Sequence, residues 1–254
     1  MGAPHGHALH YHGHSPLHRL PAHVKIVALV AYVLAVVATP RGIYWPYAAH
    51  LLALACAVVV SRVPFGHLAR RMVIEVPFVV FALVLPLVAT GERVAIGPIE
   101  VSQSGLEAAA ALLAKGTLGV LASLLLAATT EARDIIAGFE KLRMPQPLVQ
   151  IMSFMLRYTE VVAADLARMR IARESRGFRA RSVRQWPAIG ATLGTLFIRS
   201  YERGERVHLA MLSRGYTGRM PRLRPLTATG TQWALSGILP LTCALVSLTA
   251  LVAP

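Results

Sequence analysis

Long apolar runs alternate with polar segments along this chain, and their lengths predict the main elements. A helix needs about 20 apolar residues to cross the roughly 30 Å hydrocarbon core of a bilayer, and backbone hydrogen bonding inside lipid favours helix. Runs that approach this length lie at 24–39, 43–61, 72–90, 105–130 and 230–253, the first being short unless residues 20–23 extend it. The pattern predicts an all-α integral membrane protein with about five transmembrane helices.

The polar segment at 131–228 has helical patterning of its own. Apolar positions recur at helical spacing over 135–142 and again in a longer stretch that Pro147 opens, while Pro187 begins an apolar run that continues into charged residues. The last run is too short to span a bilayer. The segment is predicted to contain one short and two long amphipathic helices.

Charge predicts the orientation. The chain has 254 residues, of which 55% are hydrophobic and 15% charged, and a formal net charge of +14. Eighteen basic and eight acidic residues lie at 131–228, a net charge of +10, while Arg62, Arg70 and Arg71 lie between the second and third runs. Because Lys and Arg are retained on the cytoplasmic side, we expect a multi-pass protein of the cell (inner) membrane with its N-terminus and 131–228 cytoplasmic and its C-terminus external.

This orientation gives four predicted regions. They are a His-rich cytoplasmic tail at 1–23, a four-helix transmembrane core at 24–130, a cytoplasmic domain at 131–228 and a last transmembrane helix at 229–254. No signature of a nucleic-acid-binding fold accompanies the basic charge. Lipid, and not nucleic acid, is therefore the expected partner.

A seven-residue pattern occurs twice in the polar segment, as Ala-x-x-Ser-Arg-Gly and an aromatic residue, at 172–178 and 210–216. A Gly just past a periodic run usually closes a helix, so each Arg is predicted to lie at a helix end. A guanidinium there could cap its own helix, or present its fork of donors to carboxylates and helix ends of a partner. Two copies with shared flanking residues favour a two-part partner. The candidate docking residues are Ser175, Arg176, Gly177, Ser213, Arg214 and Gly215.

Two ionisable residues inside the apolar runs are candidates for intramembrane polar contacts, since such groups mark pathways when they face a bundle interior. Glu75, one turn into the third run, could also reach the cytoplasmic interface or pair with a loop arginine. Lys115 is about ten residues into the fourth run, roughly 15 Å at helical rise. It lies near the midplane if the helix begins at Gly105, or anchors at the interface if residues 106–114 lie on the surface.

The first 18 residues of the N-terminal tail hold six of the chain's 10 histidines. Such tracts can bind divalent metal weakly, and a solvated tail without a function is the alternative. The weak metal-ligand candidates are His5, His7, His10, His12 and His14.

Motifs of known catalytic sites are missing from the sequence. No lysine follows the glycine spacing of a phosphate-binding loop, and there is no His-Glu-x-x-His, Gly-x-Ser-x-Gly or paired-cysteine pattern. We therefore expect a protein that is not an enzyme by itself, cannot hydrolyse ATP unaided and binds no cofactor.

Several segments together resemble the transmembrane T component of energy-coupling factor (ECF) transporters, and most of all the cobalt-type one, CbiQ. They are Ser15-Pro16-Leu17-His18-Arg19-Leu20 with Lys25, Thr129-Thr130, Lys141-Leu142-Arg143-Met144-Pro145, Arg157-Tyr158 and the two Ser-Arg-Gly ends. The resemblance extends over nearly the whole chain. In that family the paired ends, commonly Ala-Arg-Gly, dock into grooves on two ATPase subunits. Here Ser175 and Ser213 occupy the alanine positions, and both arginines are retained.

The resemblance implies a coupling subunit that links two CbiO-like ATPase subunits, which hold ATP and Mg²⁺, to a CbiM-like substrate-binding membrane subunit. A small CbiN-like subunit is a further candidate partner. The transported substrate would be cobalt or, next, nickel, and the T component itself binds none. The alternative function is a self-contained channel or secondary transporter lined by Lys115 and Glu75. That function needs facing polar residues in several spans, and the sequence offers few.

Overall fold

The structure is a computed structural model that describes residues 11, 13, 15–96, 99–178, 186–218 and 227–252. The helices are α1 (Pro16–Arg19), α2 (Ala22–Ala38), α3 (Trp45–Ser61), α4 (Phe65–Ala69), α5 (Val76–Val88), α6 (Gln103–Thr129), α7 (Ala132–Lys141), α8 (Gln146–Ser175), α9 (Trp186–Leu212) and α10 (Gly230–Val252). A 3₁₀ turn at Met72–Glu75 precedes α5. The predicted all-α class is confirmed. The sequence did not predict the antiparallel hairpin of β1 (Arg93–Ile96) and β2 (Ile99–Ser102).

The chain divides into two compact units. The membrane unit contains the described residues of Leu9–Gly138 and Leu226–Pro254, and the arm unit contains those of Phe139–Pro225. Helix α7 crosses this division, and its Gly138 packs on α2, where an added Cβ would lie 3.0 Å from the backbone nitrogen of His23. The predicted division into four regions, and the cytoplasmic location of 131–228, stay predictions.

The core of the membrane unit is formed around α6, which packs on α2, α3 and α5, while α10 packs on α2 and α3. These contacts bury an apolar cluster, whose members are Tyr32, Ala35, Val36, Tyr47, Leu54, Leu118, Ala122, Leu125 and Cys243. Small side chains on α6 let the neighbouring helices approach closely. At Gly105 an added Cβ would lie 2.8 Å from the Cβ of Ala89 and 2.9 Å from the Cα of Pro86, so only glycine fits against the end of α5.

Three helical segments are long and apolar enough to cross a membrane: Phe65–Val88, Gln103–Thr129 and Gly230–Val252. Helices α2 and α3 are apolar but shorter, with 17 residues each. Large apolar side chains on α5 and α10 face outward, which is typical of a surface that lipid covers; examples are Leu83, Val88, Leu241 and Val252. An integral membrane protein fits these features, and the number of spans stays a prediction.

The arm unit contains the two long helices that the sequence predicted. Helix α8 has 30 residues and carries a proline in its first turn, where the missing N–H has no helical partner to lose. Helix α9 has 27 residues and starts at Trp186 beside Pro187. At helical rise they are about 45 Å and 40 Å long. Their C-terminal ends carry the two Ser-Arg-Gly sequences.

Candidate docking site

The first candidate end closes α8. The N–H of Gly177 donates to the carbonyl of Glu174 at 3.0 Å, and the N–H of Phe178 donates to the carbonyl of Arg173 at 3.1 Å. Gly177 has a φ of +77°, which residues with a side chain rarely adopt. These bonds satisfy carbonyls that a helix end otherwise leaves unpaired, as in a Schellman turn.

The second candidate end closes α9 with the same turn. The N–H of Gly215 donates to Leu212 at 3.0 Å, the N–H of Tyr216 donates to Met211 at 3.1 Å, and Gly215 has a φ of +79°. No atom lies within 4 Å of where a Cβ would be at either glycine. Backbone conformation, and not lack of space, is therefore what requires glycine at both ends.

The serine hydroxyls of the two ends also have matching bonds. The Oγ of Ser175 donates to the carbonyl of Ala172, and the Oγ of Ser213 donates to that of Ala210, both at 3.0 Å. Each hydroxyl therefore helps to close its own helix. This leaves the neighbouring arginine as the group that a partner could contact.

Arg176 and Arg214 are exposed. Within the described residues, neither guanidinium forms an ion pair or donates to a carbonyl of its own helix end. The self-capping alternative is therefore not the arrangement in this structure. Two exposed donor forks on matching turns thus have no partner among the described residues, which suits recognition of carboxylates or carbonyls on a partner protein.

Arg173 attaches the first end to α9. Its Nη1 donates to the Oγ1 of Thr192 at 3.1 Å, and its guanidinium carbon lies 5.7 Å from the ring centroid of Phe178. Thr192 is buried and donates in turn to the carbonyl of Ala188 at 2.8 Å. The side chain just before the Ser-Arg-Gly turn thus connects that turn to the start of the other long helix.

Gln150 attaches the second end to α8. Its Oε1 accepts from the hydroxyl of Tyr216, and its Nε2 donates to the carbonyl of Gly218. Both partners directly follow the turn that carries Arg214. One amide near the start of α8 therefore holds the segment that leaves α9.

Asp165 joins the two long helices between these attachments. Its carboxylate accepts from Arg168 on the same helix, and its Oδ2 lies 2.9 Å from an Nη of Arg203 on α9. Its side chain is only 13% exposed. The hydrogen bond from Arg168, reinforced by Arg203, holds the pKa of Asp165 below its usual value. The carboxylate is therefore ionised at neutral pH.

Lys115 lies at the C-terminal end of α2. Its ammonium donates to the carbonyls of Val37 at 2.8 Å and Thr39 at 2.9 Å. The last carbonyls of a helix have no partners within it and favour a cation, so Lys115 caps α2. Helix α6 begins at Gln103, two residues before the expected start at Gly105. The depth of Lys115 in a bilayer stays a prediction.

Glu75 is buried beside α6. The hydroxyl of Thr117 donates to its Oε1, and an added Cβ at Gly116 would lie 3.6 Å from the same oxygen. Glu75 therefore makes a polar contact with a neighbouring helix, and its place in a bilayer stays a prediction. No ion pair joins Glu75 to Lys115 within the described residues.

Lys25 connects two of the segments that carried the family resemblance. Its ammonium is buried and donates to the carbonyl of Thr129 at 2.9 Å and to the Oγ1 of Thr130 at 3.0 Å. The N–H of Tyr11 donates to the carbonyl of Ala128 at 2.9 Å. These two donors cap the C-terminal end of α6. Lys25 and Thr129-Thr130 were both among the residues that carried the family resemblance, but their contact was not predicted.

A second buried polar cluster was missed by the sequence reasoning. Nε2 of His50 lies 3.2 Å from Oγ1 of Thr39 and 3.1 Å from Oγ of Ser247, which donates to the carbonyl of Ala35 at 2.8 Å. The cluster joins α2, α3 and α10. Polar residues isolated in apolar runs were its signal, since a buried polar group needs a partner.

The weak metal-ligand candidates of the tail, from His5 to His14, lie outside the described residues. His18 is described, and its Nδ1 lies 2.7 Å from the Oγ of Ser15. Among the described residues no group of three or more His, Cys, Asp or Glu could hold a metal ion. Metal binding by the tail stays a prediction.

A helical membrane unit and two arginine-bearing helix ends are the features that the sequence resemblance predicts for a transporter component. Residues 13–224 match the family described as CbiQ, cobalt transport protein. The chain belongs to this family, the cobalt-type transmembrane T components of ECF transporters. The resemblance inferred from the sequence is confirmed.

Three relatives illustrate the family. An uncharacterized protein of Methanocaldococcus jannaschii is 31% identical over 137 residues, which are 54% of this chain and 51% of that protein. The chain thus spans about half the length of this relative. The transmembrane protein EcfT of Heliobacterium modesticaldum is 27% identical, with 90% of this chain and 92% of that protein covered. The cobalt transport protein CbiQ of Rhodobacter capsulatus is 28% identical, with 65% and 70% covered.

Proposed function

We propose that this chain is the coupling subunit of an ECF-type ABC transporter. It links two CbiO-like ATPase subunits, which bind ATP and Mg²⁺, to a CbiM-like substrate-binding membrane subunit, with a small CbiN-like subunit as a further candidate partner. The observation that carries the proposal is the pair of matching turns that expose Arg176 and Arg214 without partners in the described structure. The chain itself is not a catalyst, since ATP hydrolysis belongs to its partners.

The chemistry of docking follows from the guanidinium groups. Each can donate two parallel hydrogen bonds to a carboxylate, or several to the carbonyls at a helix end, inside a groove of one ATPase. Long helices behind the two ends carry movement of the ATPases through the arm unit, because a hydrogen-bonded helix transmits displacement along its axis. One arginine contacts each ATPase, so closure of the ATPase pair acts on both ends.

The proposed substrate is a divalent metal ion, cobalt first and nickel next. Membership of a family named for cobalt transport supports this choice, as does the name of the Rhodobacter relative. Metal recognition is assigned to the CbiM-like subunit. In the proposed orientation 131–228 and the N-terminus are cytoplasmic, where the ATPases are, and the C-terminus is external.

The contacts of Lys115 and Glu75 favour a scaffold over a self-contained channel. Lys115 donates to the end of α2, and Glu75 accepts from Thr117. Both side chains thereby hold helices of the membrane unit together. Residues that line an ion path would instead present these polar groups to water or to the ion.

The test replaces Arg176 and Arg214 with Ala, singly and together, in the complex purified from its native membrane. Removing one side of a desolvated charged pair costs about 2 to 5 kcal/mol, so each single change should strongly reduce ATPase retention, and the double change should abolish it. Arg199→Ala, which removes an exposed guanidinium elsewhere on α9, is the control and should retain the ATPases. If the double variant keeps both ATPases and still transports, the docking role is wrong.

A further inference from the structure

The two arginine ends are each attached to the opposite long helix. Gln150, near the start of α8, contacts Tyr216 and Gly218 just after the end of α9. Thr192, near the start of α9, accepts from Arg173 at the end of α8. The attachment is therefore reciprocal, with the start of each helix bound to the end of the other.

The Gln150 contact uses both functions of one amide. Its carbonyl oxygen accepts from the Tyr216 hydroxyl and its NH₂ donates to the Gly218 backbone, so the residues before and after Thr217 are fixed together. An amide held by two bonds cannot rotate about its last torsion without breaking one of them. The direction in which the chain leaves the turn of Arg214 is thereby restricted.

The Arg173 contact restricts the first end in a different way. The backbone carbonyl of Arg173 accepts from Arg176 and Phe178 and so closes the turn, while its side chain donates to Thr192 and covers the Phe178 ring. One residue thus sets both the shape of the turn and its attachment to α9. The Asp165–Arg203 ion pair connects the helices between the two attachments.

We propose that Gln150 and Arg173 are positioning residues, which fix the spacing and direction of Arg214 and Arg176 relative to each other. This inference rests on the proposed docking function. With both attachments intact, the two ends move as one body when the ATPases close. With either attachment broken, the ATPases still dock on unchanged turns, but part of their movement is lost in bending one end.

The test compares Tyr216→Phe, Gln150→Leu and their double variant in the complex with its native partners, reconstituted in proteoliposomes. Tyr201→Phe, which removes an exposed hydroxyl from α9, is the matched control. Three quantities are measured: ATPase retention, ATP hydrolysis, and uptake of radiolabelled Co²⁺, or of Ni²⁺ if the wild-type complex takes up only that ion. The ratio of ATP hydrolysed to ion transported reports positioning, which a merely stabilising contact would not change.

We expect each single variant to retain both ATPases and to raise this ratio by about 2- to 10-fold, the range that one lost hydrogen bond corresponds to. The double variant should be no worse than Gln150→Leu, because both changes remove the same contact. Tyr201→Phe should match the wild type. An unchanged ratio in Gln150→Leu, or fully additive effects in the double variant, would overturn the positioning role.

The two proposals fail in distinguishable ways. If the double Arg176→Ala, Arg214→Ala variant keeps both ATPases and still transports, the docking function is wrong whatever Gln150 does. If Arg214→Ala loses them while Gln150→Leu transports with the wild-type ratio, docking stands and only the positioning role is wrong.

Discussion

The two arginine ends share a backbone turn but differ in the side chains that hold them. Both turns have a glycine with φ near +80° and a serine that donates to its own helix at 3.0 Å. At the first turn the guanidinium of Arg173 packs on the ring of Phe178, and at the second the hydroxyl of Tyr216 donates to the amide of Gln150. The shared turn presents the arginine in the same way at both ends, while the contacts that hold each turn to the other helix differ.

Valine at either turn glycine should have a large effect and should affect both ends alike. A β-branched residue in the left-handed region costs about 1 to 2 kcal/mol or more, so Gly177→Val and Gly215→Val should each lower ATPase retention about 5- to 30-fold. Co-purification of the ATPases measures this. Gly204→Val, within α9 and with no atom near its added Cβ, is the control. A large effect at one end only would show that the ends are not equivalent.

Lys115→Met should impair the membrane unit and leave both arginine ends unaffected. The change leaves the carbonyls of Val37 and Thr39 without their donor, which costs about 1 to 3 kcal/mol, so we expect a partial uptake defect with both ATPases retained. Uptake and co-purification from the same membranes measure the two outcomes. Loss of the ATPases from a folded variant would contradict the prediction that Lys115 acts only within the membrane unit.

Asp165→Asn should weaken the ion pair with Arg203 that joins α8 to α9. The folded-state pKa of Asp165 is lowered by Arg168 and Arg203, so its contribution to stability is present above the unfolded pKa of about 3.9 and is lost as pH falls through the folded value. We expect a lower melting temperature for the variant at pH 5 to 8, and a difference from wild type that shrinks below about pH 4. A constant difference down to acidic pH would mean that the charge does not matter.

Thr192→Val should affect the first end alone. It removes the acceptor of Arg173 but keeps the shape of a buried side chain, so the first turn loses its attachment to α9. A photo-crosslinker placed at Ser175 should then label its ATPase about 2- to 10-fold less efficiently, while one at Ser213 should be unaffected. Equal losses at both positions would indicate that the helices had separated.

The smallest effect is expected for Ser175→Ala and Ser213→Ala. Each hydroxyl is exposed and donates only to its own helix, and alanine has a higher helix propensity. Each change should alter stability by less than about 0.5 kcal/mol and leave transport intact, as thermal unfolding and uptake would show. A strong defect would reveal a direct contact between the serine and the ATPase.

Local sequence patterns predicted the parts of this protein that depend on neighbouring residues. Helical spacing predicted α7, α8 and α9, and the glycine after each arginine predicted both turns. Contacts between distant segments were not predictable: Lys25 meets Thr129 across 104 positions, and Tyr216 meets Gln150 across 66. The sequence contains several donors that could pair with these acceptors, and the packing of the helices determines which donor does. The β-hairpin was missed because its strands have four residues each, the shortest length at which alternation can indicate a strand.

The shortness of α2 has a consequence for the surrounding lipid. A helix of 17 residues rises about 25 Å, less than the roughly 30 Å of an average hydrocarbon core, and the neighbouring α3 has the same length. Lys115 donates to the carbonyls at the end of α2, so a residue of the protein itself caps the helix at this length. If α2 and α3 cross the bilayer as the sequence predicts, a thinner bilayer on their side would relieve the hydrophobic mismatch. The transport rate should therefore depend on the acyl-chain length of the lipid. It should be highest at a shorter chain length than the one that matches a 27-residue helix such as α6.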